Sequence, residues 1–221
     1  MTAASRLPTR KPPDPVYRLA RRPDPWTAPD WAFVHTNDEQ RNRYDDPERY
    51  YRVLYTGTER LACFVETLAR FRPNLALLAE LRAIDGADDF APFGTVPADW
   101  LAARCMGSAR VGGEFADVFH SDWITFLRRE LAAACVRLGC GELDAATLRL
   151  TAPRHFTQLV SRTIYNLGLY GGIRYASRFG DNLELWAIFE PFEITPGPAE
   201  QVAPDDPDLR KALDLHGLRL T

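Results

Sequence analysis

The sequence predicts a mixed α+β protein, because strand-like and helix-like segments alternate along the chain in no regular order. Runs of aromatic and β-branched residues indicate strands, whereas apolar residues at helical spacing indicate helices. No regular series of βαβ units appears. The chain has 221 residues, 46% of them hydrophobic and 26% charged. That composition is typical of a soluble globular domain and excludes a collagen-like, coiled-coil or largely disordered chain.

The prolines divide the chain into three parts. Seven of the 17 prolines lie in the first 30 residues and five lie after Glu190. We therefore expect an irregular N-terminal arm over residues 1–15, a folded domain over about 16–190 and a C-terminal extension over 191–221. Within the extension, leucines at helical spacing predict a short amphipathic helix over Pro207 to Leu220.

The first well-marked strand is Arg49 to Thr56, which is rich in aromatic and β-branched residues. The residues Thr56 to Glu59 then predict a helix start, with a threonine N-cap and an acid in the first turn. The helix would bury a stripe that consists of Leu61, Phe64, Val65 and Leu68.

The remaining elements follow from apolar patterns with glycine or proline at their ends. The predicted helices are Pro97 to Cys105, Ser121 to about Leu138 before Gly139, and Arg154 to Leu167 before Gly168. The predicted strands are Leu77 to Ile84, Leu148 to Leu150, Gly172 to Ala176 and Asn182 to Glu190.

The charged residues argue against a nucleic-acid-binding surface. The formal net charge is −3, and arginines are interleaved with acidic residues instead of forming a basic stripe. Among the 27 basic residues only Lys11 and Lys211 are lysines, which leaves 25 arginines. This excess has two interpretations: the codon bias of a GC-rich genome, or guanidinium groups that hold phosphate or carboxylate in a bidentate manner.

Several other classes of protein find no support in the sequence. The longest apolar runs are about five residues, whereas a membrane-spanning helix needs about twenty, and no secretory signal is visible. The four cysteines form no CxxC pair or zinc pattern. GxGxxG after a strand, a Walker loop, HExxH and GxSxG are also missing. We therefore expect free thiols, no bound metal and a cytoplasmic location.

Three local features carry candidate chemistry. A polar turn, Arg41 to Pro47, leads into the first strand. Tyr55 lies at the end of that strand, and Glu66 follows on the helix, off its apolar stripe. A glycine-rich segment, Gly171 to Asp181, places Ser177 between two arginines before a buried strand. The alternative interpretation of Glu66 is an ordinary solvated helix glutamate, and that of the glycine-rich segment is a simple hairpin turn.

Taken in order, these segments resemble the RES domain family, which is named for an arginine, a glutamate and a serine. The stretch RYDDPERYYRVLYTGTERLACFVETLARFRP comes first, and YGGIRYASRFGDNLELWAIFE follows about 100 residues later. Between them lie VPADWLAARCMGSARV and FADVFHSDWITFLR. The likeness covers roughly residues 16–190.

The resemblance implies an ADP-ribosyltransferase-like fold, with a split, mixed β core flanked by helices. It also implies a toxin of a toxin–antitoxin pair that consumes NAD+ by phosphorolysis or by hydrolysis. NAD+ would be the substrate, with inorganic phosphate as co-substrate of phosphorolysis, and no further cofactor is implied. The expected partners are an antitoxin with a helix-turn-helix part and a second copy in a homodimer, without direct contact to nucleic acid or membrane.

The resemblance also implies a set of site residues. The family arginine and the aromatic residue after it match Arg43 and Tyr44, with Arg41 as a second register for the arginine. The other matches are Tyr55 for the strand tyrosine, Glu66 for the glutamate, Ser177 for the serine and Arg18 for an early arginine, with Arg174 and Arg178 as neighbours.

These residue types suit cleavage of the nicotinamide–ribose bond. A carboxylate such as Glu66 would stabilise an oxocarbenium-like centre or orient the nucleophile. Nicotinamide leaves from a ring nitrogen that is already cationic, so no general acid is needed. The other implied roles are stacking for Tyr44 and Tyr55, pyrophosphate binding for Arg43 and Arg18, and a hydrogen bond to ribose or phosphate for Ser177.

Two other functions stay open on the sequence alone. An ADP-ribosyltransferase would use the same site and differ in its acceptor, which would be a protein or a nucleic acid. A non-catalytic binding module would keep the fold and bind NAD+ without turnover.

Overall fold

The computed structural model describes residues 7–31, 42–83, 94–149 and 153–221. The strands in these ranges are β1 (Thr9–Arg10), β2 (Val16–Arg21), β3 (Val53–Gly57), β4 (Gly94–Val96), β5 (Arg104–Val111), β6 (Phe115–Asp117), β7 (Gly172–Ser177), β8 (Gly180–Phe189), β9 (Ile194–Gln201) and β10 (Leu218–Leu220). The helices are α1 (Arg60–Leu68), α2 (Leu75–Arg82), α3 (Ala98–Ala102), α4 (Ser121–Glu130), α5 (Ala132–Arg137), α6 (Arg154–Asn166) and α7 (Pro207–His216).

Eight strands form one mixed sheet in the order β1-β6-β7-β8-β3-β2-β5-β9, and β10 pairs with β4 separately. β6 and β7 run parallel, as do β4 and β10, whereas the other neighbouring pairs are antiparallel. The prediction of a mixed α+β protein is confirmed. The expected resemblance of this fold to that of ADP-ribosyltransferases stays a prediction.

The sheet is almost interrupted between β2 and β3. These two strands share one register pair, Tyr17 with Gly57, although β2 pairs with β5 and β3 pairs with β8 along most of their lengths. Beyond Tyr17, the Arg18 side chain reaches across, and its Nη1 donates to the Tyr55 carbonyl oxygen at 2.8 Å. A side-chain hydrogen bond therefore satisfies a β3 carbonyl that a paired strand would otherwise satisfy.

Helix α1 packs its apolar side into the main hydrophobic cluster. The predicted stripe is confirmed, because Leu61, Phe64, Val65 and Leu68 are all buried. Helix α7 adds leucines to the same cluster, and Nε2 of His216 donates to the Val65 carbonyl at 2.8 Å. Residues 191–221 thus supply β9, α7 and β10 to the sheets and the core.

Several predicted elements occur close to their expected limits. Helix α6 begins at Arg154, and Gly168 beyond its end has a φ of 65°, the left-handed conformation that glycine adopts readily. The strands β7 and β8 also occur as predicted. The amphipathic helix expected over Pro207 to Leu220 ends at His216, because Gly217 adopts a left-handed conformation with a φ of 61°, and Leu218–Leu220 forms β10 instead. The helix expected over Ser121 to Leu138 is divided at Leu131 into α4 and α5.

The strand predicted over Leu77 to Ile84 is wrong, because Leu75–Arg82 is helix α2. Leucine, alanine, glutamate and arginine in this segment are strong helix formers. The Asn74 side chain also accepts the Ala76 N–H at 2.8 Å, which satisfies a donor at the helix start. Ile84 lies outside the described residues.

Other element limits also differ from the predictions. The strand expected from Arg49 begins at Val53, and Arg49 itself has a φ of 63° that interrupts an extended chain. Helix α3 ends at Ala102, before the predicted Cys105, which belongs to β5. The strand expected at Leu148 is a 3₁₀ turn, Thr147–Arg149, and Leu150 lies outside the described residues.

The predicted threonine N-cap of α1 is also wrong. The helix follows Glu59, and no side chain caps it. The Thr58 hydroxyl instead donates to Glu184 Oε2 at 2.8 Å and accepts the Trp186 Nε1–H at 3.0 Å. The Thr58 hydroxyl therefore bonds to β8, although the local sequence pattern predicts that a threonine caps the helix.

We expect the substitution Gly172→Ala to destabilise the fold strongly. A Cβ at this position would lie 2.0 Å from the Ala187 carbonyl oxygen and 2.6 Å from the Phe115 ring, so β7 and β8 would have to separate. The expected loss in the free energy of unfolding is about 3 kcal/mol, measured by urea titration.

The matched control is Gly141→Ala, where an added Cβ meets no atom within 4 Å. This variant should stay within about 0.5 kcal/mol of the unmodified protein. Equal stability of the two variants would contradict the close approach of β7 and β8.

Candidate active site

A cavity of about 660 Å³ lies where β2 and β3 diverge. Its volume falls within the usual range of small-molecule sites. The described residues that line it are Arg18, Leu19, Asn42, Arg43, Tyr55, Thr56, Cys63, Glu66, Thr67, Ala69, Arg70, Arg154, Tyr175, Arg178, Phe179 and Leu185.

One face of α1 forms a wall of this cavity. Cys63, Glu66 and Thr67 follow each other at i, i+3 and i+4 on α1 and line the cavity, and Arg70 lines it from the 3₁₀ turn that follows the helix. That spacing places side chains on a common helix face. Glu66 therefore lies on a wall of the cavity and is not a fully solvated helix glutamate.

The Glu66 carboxylate is held by Ser177. The Ser177 side chain is buried, and its hydroxyl donates to Glu66 Oε1 at 2.5 Å while accepting the Phe179 N–H at 3.0 Å. This hydrogen bond fixes the orientation of the carboxylate. The β7–β8 register shifts between Ala176 and Ser177, and an irregularity of this kind re-aims a side chain.

Arg43 brings a positive charge to the cavity. Its side chain is buried, its guanidinium carbon lies 5.6 Å from the centre of the Tyr175 ring, and Nη2 donates to the Arg149 carbonyl at 3.5 Å. Burial alone would lower the pKa of Arg43, but Tyr44, Tyr175 and Glu66 together hold that pKa above its ordinary value.

Tyr44 is fully buried beside Arg43 and does not line the cavity. Its ring meets the Tyr175 ring edge-on, with 4.9 Å between the centroids. Burial raises the pKa of Tyr44 to about 12, an effect that the Arg43 charge partly opposes. Tyr44 thus packs against Tyr175 beside Arg43 without lining the cavity.

Tyr55 lines the cavity, and its hydroxyl holds the turn that carries Arg43. The hydroxyl donates to Asp45 Oδ1 at 2.8 Å and accepts the Tyr44 N–H at 3.0 Å. Burial and the Asp45 carboxylate raise the pKa of Tyr55 well above its ordinary value. Tyr55 therefore remains a neutral phenol at physiological pH.

Arg18 combines a structural role with a place on the cavity wall. Besides its bond to Tyr55, its Nε donates to the Pro25 carbonyl at 2.8 Å. Burial lowers the pKa of Arg18, and nearby Cys63, Tyr55 and Asp45 partly offset this effect. Two backbone carbonyls thus fix the guanidinium at the point where the sheet opens.

The cavity has a strong excess of positive charge. Its arginines are Arg18, Arg43, Arg70, Arg154 and Arg178, and Glu66 is the one carboxylate among the described lining residues. Within the described ranges none of these arginines forms an ion pair, whereas Arg52, Arg162 and Arg174 pair with Glu190, Asp46 and Glu184. Uncompensated guanidinium groups in a concave site attract anions.

The structure brings most of the sequence-predicted site residues together. Arg18, Arg43, Tyr55 and Glu66 line the cavity, Ser177 contacts Glu66, and Tyr44 is buried next to Arg43. Arg178 also lines the cavity. Arg174 does not, since it bonds to Asp117 at 3.2 Å and Glu184 at 2.7 Å. Arg41 lies outside the described residues.

The sequence patterns missed three prominent lining residues: Tyr175, Phe179 and Arg154. Tyr175 stands two residues before Ser177 on β7, within the glycine-rich segment that the sequence patterns single out, so its position is a signal that the sequence contains. Arg154 is the first residue of α6, and no local pattern indicates that this helix starts at the cavity.

A cluster of metal ligands and a membrane-spanning helix are two features that the described ranges lack. No three His, Cys, Asp or Glu side chains there form a group that could hold a metal ion. No helix in the same ranges has the length and apolar character needed to cross a membrane. All four cysteines are free thiols.

Comparisons with known proteins identify the fold. No model of a known protein family matches the sequence, and no curated protein matches it significantly. One solved structure is similar: a chain from the MbcT–MbcA toxin–antitoxin complex of M. tuberculosis, with a TM-score of 0.54 and 13% sequence identity. The similarity covers 94% of this chain and 91% of the other. The two chains therefore share a fold over nearly their full lengths.

We expect the Cys63 thiol to resist alkylation, although it lines the cavity. Burial raises the pKa of Cys63 to about 12, and its Sγ donates to the Tyr17 carbonyl at 3.1 Å. At pH 8 the group is therefore a thiol, which is a poor nucleophile compared with a thiolate. Iodoacetamide treatment followed by peptide mass spectrometry should show Cys140, which is less buried, modified first. Equal labelling of both in the folded protein would contradict this.

Proposed function

We propose that this protein cleaves the nicotinamide–ribose bond of NAD+, with inorganic phosphate or water as the acceptor. The observation that carries the proposal is the cavity in which arginines without ion pairs in the described ranges surround a single carboxylate, Glu66. NAD+ offers a matching charge pattern, because its pyrophosphate is anionic and its reacting ribose becomes cationic in the transition state.

Arginine side chains suit the pyrophosphate part of the substrate. A guanidinium presents its N–H donors in a fork that matches two phosphate oxygens. Arg43 is charged and held in place by its aromatic neighbours, and Arg154 begins α6, where the helix N-terminus adds a partial positive charge. The rings of Tyr55, Tyr175 and Phe179 supply stacking surfaces for adenine or nicotinamide.

Glu66 is the residue assigned to the reacting centre. As the glycosidic bond breaks, positive charge develops on the ribose, and a nearby carboxylate stabilises it. Ser177 occupies Oε1 of Glu66, so the carboxylate is oriented before substrate arrives. The same carboxylate could instead orient the attacking phosphate or water. Tyr55 contributes no proton transfer, because both hydrogen-bonding functions of its hydroxyl are engaged and its pKa is raised.

We further propose a biological role as the toxin of a toxin–antitoxin pair. The fold likeness to a chain of a toxin–antitoxin complex supports this role, as does the resemblance of the sequence to RES domains. The proposed partners are an antitoxin with a helix-turn-helix part and a second copy of this chain. Loss of cellular NAD+ would be the basis of toxicity.

Replacement of Glu66 by glutamine should abolish most of the activity. The amide keeps the shape of the carboxylate but removes the charge that stabilises the transition state. We expect the kcat for nicotinamide release from NAD+ to fall by about 100-fold or more. The matched control is Glu130→Gln on the surface of α4, which should keep the original rate. Equal rates in the two variants would refute the assigned role of Glu66.

Product analysis separates the proposed reaction from its alternatives. We expect nicotinamide with free ADP-ribose in phosphate-free buffer, or with ADP-ribose 1″-phosphate when phosphate is the acceptor, as resolved by mass spectrometry. Label transferred from NAD+ to a protein or nucleic acid would instead identify an ADP-ribosyltransferase. Tight NAD+ binding without release of nicotinamide would identify a binding module.

A further inference from the structure

A second group of arginines lies beside the cavity. Arg21 at the end of β2 and Arg104 at the start of β5 are direct partners in the strand register. Like charges in such cross-strand positions repel each other. Arg70, which lines the cavity, is followed by Phe71, whose ring meets the Trp100 ring edge-on with 5.1 Å between the centroids, and Arg104 stacks on the same Trp100 ring. We call Arg21, Arg70 and Arg104 the rim cluster.

Arg104 is held in a fixed orientation within the rim cluster. Its guanidinium carbon lies 3.5 Å from the centre of the Trp100 ring, and Nη1 donates to the Trp100 carbonyl at 2.6 Å. Burial, together with the charges of Arg21 and Arg70, lowers the pKa of Arg104 to about 10. The group is thus still cationic at neutral pH. A guanidinium stacked on an aromatic ring keeps its edge available to a planar or tetrahedral anion.

The rim cluster differs from other arginines on the same elements. In the described part of the chain, none of its three members forms an ion pair with a carboxylate. By contrast, Arg110 at the other end of β5 bonds to Asp14 at 2.7 Å, and Arg60 at the start of α1 pairs with Asp206. The repulsion between Arg21 and Arg104 is therefore uncompensated by the protein, and an anion bound between them would relieve it.

We propose that the rim cluster binds a phosphate monoester at the edge of the cavity, and that this group is the 2′-phosphate of NADP+. The identity of the ligand rests on the proposed function, because the cavity arginines would hold the pyrophosphate of the same molecule. A monoester carries a larger charge than a pyrophosphate diester and three terminal oxygens, which suits several guanidinium groups. The protein then prefers phosphorylated nicotinamide dinucleotides over NAD+.

The test compares three probes by titration calorimetry on the full chain: adenosine 2′,5′-bisphosphate, adenosine 5′-monophosphate and inorganic phosphate. We expect the bisphosphate to bind at least about tenfold more tightly than the monophosphate, which is the effect of one charge-assisted hydrogen bond. Arg21→Gln and Arg104→Gln should each reduce this preference to about threefold or less. Arg110→Gln removes the same charge from β5 away from the cluster and should keep the preference.

Equal affinity of the unmodified protein for the two nucleotides would overturn the proposal, whatever the variants do. Tight binding of inorganic phosphate that depends on Arg21, without a preference for the bisphosphate, would also overturn it and assign the cluster to free phosphate. Thermal melting of each variant separates a local loss of binding from unfolding. The readout is binding without turnover, so this proposal and the proposed cleavage of NAD+ can fail independently.

Discussion

The opening between β2 and β3 is the feature on which the rest of the site depends. The strands share one register pair, and beyond it Arg18 connects them through hydrogen bonds to the Tyr55 and Pro25 carbonyls. A continuous ladder would close this part of the sheet and leave no cavity. With a shorter side chain the opening would leave buried carbonyls without donors, each at a cost of about 1–3 kcal/mol. Arg18 thus allows the sheet to open into a cavity while the carbonyls at the opening keep a hydrogen-bond donor.

The other polar groups of the site are held in a similar way. Ser177 bonds to the Glu66 carboxylate, and Tyr55 bonds to the turn that carries Arg43. These contacts join α1, β3, β7 and the turn around one cavity, so the charged groups are positioned before any ligand binds. Such pre-organisation is what transition-state stabilisation requires. The arginines on the wall are left without ion pairs in the described ranges, and their charge remains available to an anion.

The sequence predicts some of the contacts around the cavity and misses others. Periodicity on α1 separates the buried stripe from the face that carries Glu66, because helix geometry fixes both. Periodicity cannot predict that Thr58 bonds to β8 instead of capping α1. It also cannot predict that Arg154 begins a helix at the cavity. Both features depend on contacts between residues that are distant in sequence. The sequence also predicts a strand over Leu77 to Ile84 where the structure has the helix Leu75–Arg82, because a short apolar run has no distinctive period.

The most direct test of this account is a crystal structure of the Glu66→Gln variant soaked with NAD+. We predict an intact dinucleotide in the cavity, with its pyrophosphate against the arginines and its nicotinamide ribose facing residue 66. An empty cavity at saturating NAD+, or a dinucleotide bound elsewhere on the protein, would contradict the assignment of the opening in the sheet as the active site.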